Sequence, residues 1–430
     1  MNSLLRTALF ALVLPVFAGT LHGDVITVDD DGPADFSIIQ DAVDFAENGD
    51  EILVGPGTYF GSGTNDIIDP LGKAIVIRGV SGSEPVVLDG ALGARGIICR
   101  SGENADTVIE GFTIRGCSAP WYDWNGNGGV DVWEYFGGGL WCRDGSSPTI
   151  RDCVFTLNSA EYGGAIHNGD ENGSASEPVI IDCTFLLNQS APSTGGVGGA
   201  IYNTGSSPRI SDSIFEGNSA YSGGAILNWS GSDPVIENCL FEANTARNGG
   251  GVYNYGSAPQ IVDCLFDGNI ASVDGGAVHN ADPESSVNVP VFLRCTFTEN
   301  QAASDGGGIE NFSVSPEITD CVFTGNDAGD GSAIHSWNSS DPRVRNTLVC
   351  SNPGMQISGS WTDLGGNTVS AACVDDCLGD INADGLVDGA DLNILLGDWG
   401  QSGSVADLDA SGLVDGEDLL VILGAWGPCS

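Results

Sequence analysis

Between residues 148 and 341 the apolar positions fall in short runs, such as Thr149-Ile150, Cys153-Val154-Phe155 and Ala165-Ile166, separated by Gly, Asn, Asp, Ser and Pro. No helical period runs through them, so each run reads as a strand and each interruption as a turn. One phrase returns throughout. Phe155-x-x-Asn158 recurs from Phe185, Phe215, Phe241, Phe266, Phe297 and Phe323, at steps of 30, 30, 26, 25, 31 and 26 residues. A second phrase alternates with it: Gly163-Gly164-Ala165-Ile166-His167-Asn168, then copies from Gly198, Gly223, Gly249, Gly275 and Gly306 and a worn copy at 331–336. A fixed period of this size implies units that bury their apolar face only against the next unit. About 25 residues suffice for three short strands and three turns, with coils about 4.8 Å apart. The expected fold is therefore all-β, a right-handed three-stranded parallel β-helix.

Stacking turns repeat positions into columns. Phe155 and its equivalents should form an inward aromatic column, and Ile166, Ile201, Ile226, Val252, Val278, Ile309 and Ile334 an inward aliphatic one. Asn168, Asn203, Asn228, Asn254, Asn280 and Asn311 suit a side-chain amide ladder at a turn. Asp152, Asp182, Asp212, Asp263 and Asp320, with Asn238 among them, read as tight-turn residues. The paired FxxN and GGA[ILV] phrases over residues 137–336 resemble polymorphic outer-membrane protein repeats, within the pectate-lyase-like β-helix group. That resemblance implies the fold; lyases, hydrolases, esterases, adhesins and scaffolds all share it.

Before the repeats, Arg6 and the apolar run 8–18 read as a secretory signal over residues 1–23, cut between Ala18 and Gly23. No later stretch would span a membrane as a helix, so the mature chain is expected to be secreted or at the cell surface. The β-helix should then occupy 24–370. Its first strand is expected at 25–28, and a capping helix at 37–48 with Ile39, Ala42, Val43 and Ala46 on one face. Strands should follow near 51–54, 74–78, 86–88, 97–99 and 108–114, with closing coils at 344–350, 355–358 and 361–369. Residues 24–59 resemble the N-terminal coils of pectinesterase-type β-helices.

Three stretches carry calcium-ligand spacing. An aromatic-rich insertion at 118–136 holds Asp123, Asn125, Asn127, Gly129, Asp131 and Glu134 at loop positions 1, 3, 5, 7, 9 and 12, with Gly128 at the sharp turn. A linker at 371–378 leads to a module at 379–430 with a duplicated loop. The first copy offers Asp380, Asn382, Asp384, Leu386 (through its carbonyl), Asp388 and Asp391; the second offers Asp407, Asp409, Ser411, Leu413, Asp415 and Asp418. Each copy leads into one helical run, 392–399 and 419–426. This duplication resembles a type I dockerin, which implies Ca2+ and a cohesin-like or cell-surface partner. The partner-reading positions 10 and 11 are Gly389-Ala390 and Gly416-Glu417 rather than the Ser-Thr pair common in cellulosomes.

Charge narrows the partners. The chain carries 58 acidic against 13 basic residues, a formal net charge of -45, and Lys73 is its only lysine. Such a field excludes nucleic acid and disfavours anionic lipid and polyuronate unless a cation bridges them. Thirteen cysteines cannot all pair within one chain. Cys377–Cys429 is the favoured bridge and Cys350–Cys373 a second; Cys153, Cys183, Cys239, Cys264, Cys295 and Cys321 share a column, read as buried free thiols.

No cluster of aspartates with hydrolase spacing, and no lyase-like set of acids beside Arg209, Arg247 or Arg294, is legible in the repeats, so no catalytic residue is assigned. One strip stands out instead: Tyr202 and Tyr253 just after the inward aliphatic, and Trp229, Tyr255, Phe312 and Trp337 two residues further on. Outward aromatic columns could stack on sugar rings or pack beneath neighbouring loops. His167, His279 and His335 lie too many coils apart for one shared metal. The reading is a secreted, calcium-binding, non-catalytic β-helix for surface attachment or carbohydrate binding, assembled through its dockerin-like tail. The alternative is a dockerin-bearing polysaccharide lyase or glycoside hydrolase acting on extracellular polysaccharide.

Overall fold

The structure, a computed structural model, describes residues 23–61, 66–80, 82, 84–91, 93–119, 135–170, 173–190, 195–282, 288–373, 379–382, 386–409 and 411–428. Nearly all strands pair in parallel with their equivalents one coil away, in three long sheets of 13, 12 and 11 strands. The first sheet runs from β1 (Val25–Val28), the second from Gly57–Tyr59 and the third from Asp66–Ile68.

Register holds like against like: Phe185 faces Phe155 and Phe215, and Ile201 faces Ile166 and Ile226. The phenylalanines stack inside the coil with centroids 4.5–5.1 Å apart and planes within 7° of parallel. Ile150, Ile180, Ile210, Ile236 and Ile261 complete the dry interior from the first sheet.

Two amide ladders run through it, one more than the sequence analysis names. Asn168, Asn203, Asn228, Asn254, Asn280 and Asn311 are joined by Nδ2-to-Oδ1 bonds of 2.8–2.9 Å. They lie within the third-sheet strands rather than at a turn. The turn ladder is the Asn of the Phe phrase, from Asn158 to Asn352. From Asn158 to Asn326 each Nδ2 donates both to the next Asn Oδ1 and to the backbone of the Phe column one coil back, as Asn218 does to Asn244 and Phe185 at 2.9 Å, and Asn352 ends the ladder on Gln356 Oε1 at 2.8 Å. The residue preceding this Asn is left-handed, for example Leu187 at φ 55° and Ala243 at φ 53°. Asp152, Asp182, Asp212, Asn238, Asp263 and Asp320 are left-handed too, at φ 51–54°, as expected of turn residues. Arg294 occupies the same position at φ 53°.

Close approach explains the Gly-Gly phrase. Gly163 is left-handed at φ 69°, and a Cβ there would sit 2.1 Å from the Ile166 carbonyl oxygen. One on Gly164 would meet the Gly199 oxygen of the next coil at 2.3 Å. The chain doubles back here, and the segments leading into the phrase form a short fourth sheet: Thr245–Asn248, Ile270–Asp274 and Gln301–Ala302.

The capping helix α1 (Ile39–Phe45) is shorter than expected but buries Ile39, Ala42 and Val43, with Ala46 just beyond. Its last turn has no basic residue of its own. Lys73 supplies the charge from the next coil, donating to the Val43, Asp44 and Ala46 carbonyls at 2.6–2.9 Å. The run at 108–114 divides at the left-handed Gly111 into Val108–Glu110 and Phe112–Arg115. Cys350 and Cys373 are bonded and the column cysteines are free and buried, while Cys377 and Cys429 lie outside the described residues. No described helix is long and apolar enough to cross a membrane.

In the C-terminal module, α2 (Gly389–Gly397) and α3 (Gly416–Gly424) pack around Val387, Leu395, Ala406, Val414 and Ile422. Both helices start three residues earlier than expected, because Asp388 with Asp391 and Asp415 with Asp418 form reciprocal capping boxes.

Replacing Asn244 by Ala should strand the Asn218 N–H and take one of the two bonds of its Nδ2, both groups bonding Asn244 Oδ1 at 2.9 Å. The expected loss is about 3 kcal/mol in denaturant unfolding. Exposed Glu242→Ala on the same coil should stay within about 0.5 kcal/mol; equal losses would show that the ladder carries no special weight.

Candidate functional site

The outward face of the third sheet concentrates chemistry in three parallel columns. The first follows the inward aliphatic: Trp141, His167, Tyr202, Leu227, Tyr253, His279, Glu310 and His335. Two residues on come Trp229, Tyr255, Ala281, Phe312 and Trp337. The third column precedes the Gly-Gly phrase and includes Asn248, Asp274, Asp305 and Asp330. Asp274 lies close to the first column because the chain folds back. A Cβ on Gly275 would lie 2.8 Å from His279 Cβ.

This folding back divides the aromatic strip. Tyr202 is packed among Tyr162 and His167 rather than displayed, with centroids at 5.6 and 5.0 Å. Tyr253 is edge-on to His279 at 4.9 Å and to Tyr255 at 6.3 Å. The second column remains accessible. Trp229 and Tyr255 stack at 4.2 Å with planes 6° apart, and Phe312 lies against Trp337 at 5.4 Å. Trp229 is 39% exposed and Trp337 64%.

Asp274, Asp305, Glu310, Asp330 and His335 come together on three consecutive coils. This neighbourhood is not named in the sequence analysis, and it does not test the assignment of no catalytic residue. The residues are 25 to 31 apart in sequence or lie in different phrases, and only coil register makes them neighbours. The legible signal was Asp recurring just before Gly275, Gly306 and Gly331.

Glu310 is buried and its Oε2 lies 2.6 Å from His335 Nδ1, while His335 Nε2 lies 3.8 Å from Asp330. Burial pushes the Glu310 carboxyl above its usual range, and Asp274 and Asp305 add to the shift. The bond to Glu310 raises His335 in turn, so the pair holds its proton to higher pH. Asp274 is raised by burial and by Asp305, with Arg247 partly offsetting. Such a set can donate and accept protons from neighbouring groups, and ionised members can bind a cation.

At the other end of the face, His167 is fully buried, stacked on Phe136 at 4.3 Å, and neither ring nitrogen has a hydrogen-bond partner. Beside it, Arg95 is buried and paired with Asp66 at 2.8 Å.

The calcium-spaced loops fare differently. Asp123, Asn125, Asn127, Gly129, Asp131 and Glu134 lie outside the described residues, as does Asp384. In the second tail loop, oxygens of Asp407, Asp409 and Asp418 converge within 4.8 Å of one another. Asp407 Oδ1 is buried with no hydrogen-bond partner, and Ser411 Oγ donates to the Leu413 carbonyl. An orphaned buried carboxylate oxygen among converging oxygens fits a hard cation. Asp418 is buried and accepts from the Leu408, Asp409 and Asp415 N–H groups at 2.6–3.1 Å. Asp391 repeats this with Ile381, Asn382 and Asp388. The Asp415 N–H is the main cause that holds Asp418 low; at Asp391 the backbone N–H groups outweigh burial.

The stacked coils define a parallel β-solenoid. A profile described as "Right handed beta helix region" matches residues 65–287 and 211–349. The chain belongs to that family. Among solved structures it is similar to XylC in complex with xylose, at 10% identity and TM-score 0.47 over 77% of this chain and 76% of that one. It is also similar to the family PL6 alginate lyase AlyGC, at 13% identity and TM-score 0.39 over 80% of this chain and 51% of that one, so it spans about half of that enzyme. A third likeness is to polygalacturonase from Erwinia carotovora ssp. carotovora, at 12% identity and TM-score 0.37 over 81% and 96%. None of the curated proteins matches the chain in sequence.

Burial holds His167 down to about 3 and His279 down to about 4, against an ordinary 6.5. The unfolded chain therefore binds protons that the folded chain refuses. Their stabilisation is complete above pH 6.5 and is lost as pH falls towards these values, at about 1.4 kcal/mol per pH unit for each ring. His167→Phe should reduce the loss of denaturant stability between pH 6.5 and 5 by about 2 kcal/mol. An unchanged pH dependence would show that His167 is charged when folded.

Proposed function

We propose that this chain is an exported carbohydrate-binding β-helix that lays extracellular polysaccharide along the outward face of its third sheet. The observation that carries this is the pair of exposed ring platforms, Trp229 with Tyr255 and Phe312 with Trp337, aligned in one column beside the carboxylates. Large exposed aromatics on a rigid sheet mark binding surfaces, and Trp337 in particular leaves apolar ring surface open to the apolar faces of sugars. The segment at 1–23 acts as the export signal, and the protein works outside the cytoplasm or at the cell surface. The repeats are of the polymorphic outer-membrane protein type.

In this reading the tail at 379–430 is a dockerin-like Ca2+ module. Asp407, Asp409, Ser411, Leu413, Asp415 and Asp418 hold one ion, and Asp380, Asn382, Asp384, Leu386, Asp388 and Asp391 a second. The insertion loop of Asp123, Asn125, Asn127, Gly129, Asp131 and Glu134 holds a third. Exposed Leu396, Trp399, Leu420, Leu423 and Trp426 give the tail an apolar surface for a cohesin-like or cell-surface partner.

A second reading, hydrolysis of the bound glycan, is favoured by one observation: Asp274 and Glu310 are raised carboxyls beside further acids. A carboxyl that keeps its proton next to one that loses it is the requirement for acid/base cleavage.

Trp229→Ala with Trp337→Ala should weaken binding on a glycan array at least about tenfold, or about 1.4 kcal/mol, without unfolding the chain. Retained binding would remove the platforms from the reading. Release of reducing ends by the native chain, abolished in Asp274→Asn, would establish the hydrolytic reading instead. Separately, calorimetry on the full chain should show Ca2+ uptake reduced in Asp407→Ala, and chelation should lower the melting of the tail. Unchanged uptake and melting would refute the metal assignment.

A further inference from the structure

Resting on the reading of this face as a glycan surface, we infer that its ligand is a polymer of protonated amino sugars rather than a neutral or uronate chain. The carboxylates decide the charge. Asp274, Asp305 and Asp330 form one column, and Glu310 lies beside it. The cations whose charge bears on Asp274 are Arg247 and His335. Arg247 lies over the Tyr221 ring at 5.4 Å, and His335 is engaged by Glu310. Stacking acids at coil spacing, about 4.8 Å, is unfavourable in itself. Turn geometry does not demand it, since the same position is Val197, Ser222 and Asn248 in earlier coils.

A second observation, independent of the acids, also points to a ligand. His279 lies in register between Tyr253 and Glu310 and is only 8% exposed. Its Nδ1 has no hydrogen-bond partner, and its polar neighbour is the Asp274 backbone. The ring is held at the Asp274 backbone, and Nδ1 remains a buried polar atom without a partner beside the acidic column.

The aromatic column supplies the rest of the fit. Phe312 and Trp337 belong to the same coils as Glu310 and His335, and the Trp229–Tyr255 pair lies three coils earlier, beyond Ala281. A glycan laid along the axis runs over the exposed Trp229 and Trp337 side chains and carries its amines past the acids. A uronate would bring like charge to the column, and an uncharged chain would leave the acids unmatched. A basic peptide shares the charge but lacks the flat saccharide faces.

Calorimetry at about pH 6 on the full chain would use a glucosamine oligomer, its N-acetylated counterpart, an oligogalacturonate with and without Ca2+, and oligolysine. The glucosamine oligomer should bind at least about tenfold tighter than any other. Asp305→Asn with Asp330→Asn should remove most of that preference and flatten its salt dependence. Trp337→Ala should weaken both amino-sugar oligomers. Equal affinity for the N-acetylated oligomer, preference for oligogalacturonate, or equal binding of oligolysine would each overturn the inference. The first two leave the glycan surface standing. Failure of every saccharide to bind would overturn that surface as well.

Discussion

Backbone pairing between coils, in parallel and in register, is the constraint on which everything else depends. A parallel ladder brings each residue beside its own equivalent above and below, so a side chain succeeds only if it packs against copies of itself. Phenylalanine and isoleucine do so by shape. Asparagine does so because its amide carries a donor and an acceptor, and a column of amides satisfies itself through the dry interior. Ser213, the break in the cysteine column, obeys the same rule. Its Oγ accepts the Cys183 N–H at 3.2 Å and donates to the Ser211 carbonyl at 2.8 Å. A column tolerates exchange where the newcomer keeps both contacts.

The same register produces the opposite effect outside. Burial pushes the Asp274 and Glu310 carboxyls up, and the acids stacked beside them add to the shift. Elsewhere along the coils several charges that stack in adjacent strands are opposite, although Glu216, Glu242 and Asp267 also stand in one row. Arg294 reaches Asp263 at 2.6 Å, Arg343 reaches Glu317 at 2.8 Å, and Arg115 reaches Asp89 at 2.6 Å. The column from Asp274 to Asp330 differs from the Glu216 row in lying against His335 and buried Glu310, and perturbed titratable groups gathered in this way mark functional sites.

The tail follows a different economy. With no long column to stack, each half fastens its loop to its helix through one aspartate, Asp391 or Asp418. That residue caps the helix and gathers N–H groups from the start of the loop. Loop and helix are thereby one unit, and Asp407 is left with an oxygen that the protein itself does not satisfy.

The period and its phrases determined the solenoid, its inward columns and the left-handed aspartate turns, because those features depend on what each unit repeats. The tail helices were legible for the same local reason, although their starts were set by capping rather than by the apolar run. Differences between units escaped that logic. That Tyr202 is covered while Trp337 is open follows from how each connecting segment folds back. The meeting of Asp274, Asp305, Glu310, Asp330 and His335 follows from the stacking of consecutive coils. Neighbourhood across coils is a property of register, and register is fixed only when the backbone closes each turn onto the last.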